Sequence, residues 1–205
     1  MFGRNVMPTR IRDRSRNHGK QNSIEDSATA LGYICWQLAL TSARNLHAED
    51  FIYEDDHQRV GVIQEYLAFL NHVSDRLTFD RLSETQRPLF VSTLAHACAS
   101  QLQRNTSEVL GSGDYRTLFI DLLNQRNADY GQCAFRDGAA GYSLLRTFGD
   151  RVKVIMGDDQ TNRWVIDQVM EIDGPDLVRK LTKSLTSLLG TKPFSPDGEK
   201  AIGPG

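Results

Sequence analysis

Apolar residues recur at helical spacing through most of the chain, and no stretch shows the strict alternation of a half-buried strand. The first periodic segment follows "NSIEDSA". There, Ser23 or Asp26 can cap a helix whose positive end is matched by Glu25 and Asp26. It should run to about Asn45, with apolar positions around much of the cylinder. A second helix is expected from about Asp55 to Leu77. A third follows "RLSETQRP", where Ser83 and Gln86 have capping-box spacing and Pro88 suits a first turn. It extends towards Asn105 or Leu110, and "GSGD" at Gly111–Asp114 ends it.

A fourth helix is expected from about Tyr115 to Asp129, and a fifth begins after Gly138. The "RVKVIMG" at the end of that fifth helix also fits a short strand. A sixth covers about Gln160 to Ile172, capped by Asp158 or Asp159, and "DGPD" then breaks the chain. The last helix opens at Pro175, carries its stripe on Val178, Leu181, Leu185 and Leu188, and stops at Gly190. No internal repeat and no hairpin pattern stands out. The predicted fold is all-α: one domain over residues 23–190, a bundle of six to seven helices. A basic flexible arm at 1–22 precedes it, and a Pro- and Gly-rich disordered tail at 191–205 follows.

The chain has 205 residues, 40% of them hydrophobic and 24% charged, which suits one globular domain with a sizeable core. Its net charge of −2 hides an asymmetry. Residues 1–22 carry six cations against Asp13, a local charge of +5, while the rest carries 18 cations and 25 carboxylates, or −7. Arg10, Arg12, Arg14 and Arg16 could tether the protein to nucleic acid or another anionic surface. Phe2 is the only aromatic there for base stacking, however, and the acidic body opposes a polyanion.

The arm has no apolar signal-peptide core. The longest charge-free stretch, Ser27 to Ala43, is too short and too polar to predict a transmembrane segment. Cys35, Cys98 and Cys133 are odd in number and widely spaced, which points to buried, inert thiols in a reducing, cytoplasmic compartment.

Candidate chemistry concentrates in "EDDHQRVGVIQEYLAFLNHVSDRLTFD", Glu54 to Asp80. On a wheel with Glu65 at 0°, the apolar face centres near about 130°. Glu54 and His72 fall near about −20°, Arg76 near about 20° and His57 near about −80°. Glu54 and His57 have the i, i+3 spacing of helical-bundle carboxylate metal sites. The chain has no second Glu-x-x-His, and Glu65 and His72 are two turns apart. Glu54, His57, Glu65 and His72 therefore make a poor ligand set, and no cofactor is expected.

The same geometry puts Glu65, His72 and Arg76 on the border of the buried face, where another helix or a partner protein would dock. Asp75 and Arg76 suit pairing with neighbouring helices. Arg179, Lys180 and Lys183 line the polar side of the last helix and could also meet a partner, although such a helix more often packs on its own bundle. Asp121 and Asp129 read as ordinary surface residues, and His96 as solvated. "GDDQTN" at Gly157–Asn162 lacks the ligand pattern of a calcium loop and reads as a helix cap. No nucleophile motif, phosphate loop or zinc motif is present. The function these features point to is non-catalytic binding of another protein, as an accessory subunit, adaptor or assembly factor. A helical enzyme or metalloprotein using the helix-two Glu/His set is the alternative. Nucleic-acid binding through the arm is the third reading.

Overall fold

A computed structural model describes residues 23–157 and 162–190. The basic arm with Arg10, Arg12, Arg14 and Arg16, the tail at 191–205 and the proposed Asp158/Asp159 cap lie outside the described residues.

The architecture is an all-α bundle: α1 (Ile24–Ala48), α2 (Asp56–Thr78), α3 (Gln86–Leu110), α4 (Tyr115–Gly131), α5 (Tyr142–Met156), α6 (Val165–Gln168) and α7 (Gly174–Leu189). The caps are local chemistry. The Ser23 hydroxyl accepts from the Asp26 N–H at 3.0 Å, and the Asp26 carboxylate takes the Ser23 N–H at 3.3 Å. Ser83 and Gln86 make the same reciprocal pair, both bonds 3.2 Å. Asp55 and Asp114 accept from Gln58 and Thr117 to open α2 and α4. "RVKVIM" is the last part of α5, not a strand.

α2 is the axis of the bundle. It packs on α1, α3, α4, α5 and α7, and its buried residues run without a gap from Glu65 to Ser74. Phe69 stacks on Phe148 at 4.2 Å, and Tyr66 meets the edge of the same ring at 5.1 Å. α1 and α3 approach closely at Gly32, where a Cβ would come within 2.5 Å of the Ala97 methyl. Cys35 and Cys98 are fully buried, and Cys133 is half-buried.

Two elements depart from the sequence expectation. A two-stranded hairpin joins α4 to α5: β1 (Phe135–Arg136) pairs antiparallel with β2 (Ala139–Ala140). Asp137 and Gly138 turn it with φ of 52° and 74°, the two positive values that a type I′ turn requires. "DG" is the standard signal for that turn, but flanking strands of two residues are too short to show a period.

The second departure is at "DGPD", which does not break the chain. α6 continues through a π turn, Val169–Asp173, directly into α7. The Gly174 N–H bonds back five residues to the Val169 carbonyl. Pro175 has no N–H for the Glu171 carbonyl, and its ring would press on that carbonyl in a regular turn; the extra residue of the π turn absorbs both. Asp173, in this turn, is buried and accepts from the Tyr66 hydroxyl on α2 and from Gln168 Nε2 at 3.3 Å. Burial pushes the Asp173 carboxyl above the usual range.

Candidate functional site

A central helix must satisfy its own polar groups, and α2 does so in two ways. Asn71, Ser74 and Thr78 donate to carbonyls one turn back, at 2.8, 2.7 and 2.9 Å. Glu65, only 1% exposed, is held across the bundle by Arg126 of α4, whose Nε lies 3.0 and 2.7 Å from the two carboxylate oxygens. Arg126 also reaches Asp129 at 3.3 Å, and Asp129 takes Arg151 of α5 at 2.9 Å. The four groups form a chain of alternating charge linking α2, α4 and α5.

Of the two readings of the Glu65 and His72 border, another helix or a partner, it is another helix that meets Glu65. Both residues are buried, at 1% and 5% exposure, because helices pack around the middle of α2, and a wheel resolves only one buried face. The surface reading of Asp129 is corrected: it belongs to the charge chain. Arg126, between Asp121 and Asp129, reads as surface patterning in the sequence because its partner is 61 residues away. One signal was there: Phe119, Leu123, Arg126 and Tyr130 fall on one stripe of α4, and an arginine on a buried stripe implies a carboxylate facing it.

Beside this chain lies a groove of about 650 Å³. α2 supplies its base with Asn71, His72, Asp75 and Arg76. α3 and α4 supply the walls, with Val91 and Ala95 facing Ile120 and Leu123, and Asn124 and Asn127 along the α4 side. The walls are joined at the α3–α4 turn. There Gln103 donates to the Gly113 carbonyl at 2.8 Å and accepts from the Arg116 N–H at 2.9 Å, while the Arg116 side chain reaches Ser100 at 3.2 Å. At the other end, Asp75 is fixed to α3 by a two-pronged bond to Arg87, both distances 2.7 Å. Asp75 thus pairs with a neighbouring helix as expected. Arg76 does not: this half-buried cation makes no ion pair or hydrogen bond among the described residues.

Beneath the groove, Asn71 Oδ1, His72 Nε2 and the Tyr130 hydroxyl are buried with no hydrogen-bond partner among the described residues. The His72 and Tyr130 rings lie 5.3 Å apart. Burial, reinforced by the Arg76 charge, lowers the His72 pKa to about 4, so the ring is neutral near pH 7. Burial and the Glu65 charge push the Tyr130 phenol well up. A neutral imidazole with no carboxylate bonded to it, beside a phenol that holds its proton, is suited to hydrogen bonding more than to proton transfer.

The other candidates are scattered. Glu54 lies just before the Asp55 cap and His57 in the first turn of α2; both are exposed and apart from Glu65 and His72, and no group of three or more metal-ligating side chains forms among the described residues. His96 is exposed, with Nδ1 3.5 Å from Arg116. On α7, Arg179 and Lys180 both fold back onto Asp176, while Lys183 is exposed. The opposite face, Leu177, Val178, Leu181 and Leu185, is buried in the bundle. Among the described residues, no helix is long and apolar enough to cross a membrane. The chain matches no protein-family model, and comparison with curated proteins and with solved structures gave no match either.

Proposed function

We propose that the protein works by holding a segment of another protein in the α2–α3–α4 groove, as an adaptor, accessory subunit or assembly factor. One observation carries this reading: the groove joins an apolar strip, Val91, Ala95, Ile120 and Leu123, to the unpaired Arg76 and the exposed amides of Asn124 and Asn127. Apolar area supplies affinity, and unspent polar groups supply orientation. Arg76 is the one residue of the Glu65, His72 and Arg76 set that this surface uses from the half-exposed side. Three unbridged thiols fit a cytoplasmic setting for this role.

The test is affinity purification of the full chain from its source cell, identification of a co-purifying protein, and titration with that protein made recombinantly. Ala95→Trp fills the groove and should weaken binding at least tenfold, while Lys183→Ala on the far helix should leave it unchanged. Equal affinity for wild type and Ala95→Trp overturns the groove as the docking site.

A further inference from the structure

We infer that the segment this groove takes is extended and acidic, with a carboxylate seated on Arg76. The inference rests on the docking role proposed above and names the chemistry of its partner.

Charge comes first. The groove is lined by Asp75, Arg76 and Arg87. Asp75 and Arg87 neutralise each other, and Arg116 stands beside His96 at the rim. Arg76 sits where the groove meets a second depression lined by Asp80, Arg81 and Asp137, and its guanidinium makes no ion pair among the described residues. The protein body is acidic as a whole, but screening confines such fields to roughly 8 Å at physiological salt, so the local cation decides. A half-buried guanidinium without a partner has lost part of its hydration. A carboxylate restores it with two parallel bonds.

Shape and hydrogen bonding come second. The α3 wall runs from Arg87 to His96 and the α4 wall from Ile120 to Gly131, about 14 and 17 Å at 1.5 Å per residue. That length holds about four or five residues of an extended chain. Asn124 and Asn127 are exposed, three residues apart on α4, and each carries a donor and an acceptor side by side. Amides so placed match the free N–H and C=O groups of an extended segment. A helix has already spent its own.

The test uses a phage-displayed library of random dodecapeptides, selected in parallel against the full chain, Ala95→Trp and Arg76→Gln. Peptides enriched on wild type are synthesised with a fluorescent label, and affinities are read by anisotropy. Binders should share one Asp or Glu flanked by apolar residues. Replacing that residue by its amide should weaken binding to wild type about tenfold and change binding to Arg76→Gln little, because the two changes remove the same contact. Enriched peptides without an acidic position overturn the carboxylate assignment while leaving the groove as a docking site. So does an acidic position whose replacement costs the same in both proteins. Selected peptides that bind Ala95→Trp as well as wild type overturn both readings.

Discussion

Arg126→Met tests the account of α2 as a buried axis. The substitution keeps the length of the side chain and removes its charge, leaving Glu65 at 1% exposure with no cation to hold it. Breaking a buried pair from one side costs about 3–5 kcal/mol, against total stabilities of about 5–15 for a domain. In a domain of this size that lowers the melting temperature by roughly 6–20 °C. Urea unfolding monitored by circular dichroism gives the free energy directly. The companion variant, Arg126→Met with Glu65→Leu, removes both charges and should recover most of the loss, since an apolar pair of similar volume avoids the desolvation cost altogether. Asp129 keeps Arg151 at 2.9 Å in both variants, so it contributes equally to each. A single variant within about 1 kcal/mol of wild type would refute the reasoning, because a desolvated carboxylate cannot lose its partner so cheaply. So would a double variant no more stable than the single.

Two further outcomes follow from the same packing. His72 has its pKa lowered to about 4, so its neutral form is favoured in the folded state; that stability is complete above pH 6.5 and is lost as pH falls through 4. It amounts to about 3 kcal/mol, and ring-proton NMR should show no titration of His72 between pH 7 and 5, whereas a midpoint near 6.5 would place the ring in water. Gly32→Val sets a branched side chain where even a Cβ lies 2.5 Å from the Ala97 methyl, so it should force α1 off α3 and cost about 1–3 kcal/mol by urea unfolding; a neutral result would mean the two helices cross elsewhere.

The local features were legible in the sequence because each is decided within a few residues. The Ser23 cap, the Ser83 capping box, the start of α4 at Asp114, and the stripe of α7 ending at Gly190 need only their own neighbours. The period of the apolar positions was enough for an all-α bundle. The tertiary structure decided everything that depends on what lies opposite. Glu65 is buried because Arg126, 61 residues on, arrives to neutralise it. "DGPD" continues a helix because a π turn takes up Pro175, and the buried Asp173 carboxylate in that turn is tied to Tyr66 of α2. Arg76 and Asp75 are adjacent in sequence and alike in pattern, yet one is spent on Arg87 and the other is left facing a groove. Periodicity fixes which face of a helix is apolar. It is silent on how many neighbours surround that helix, and for α2 that number turned the expected border of a buried face into the centre of the protein.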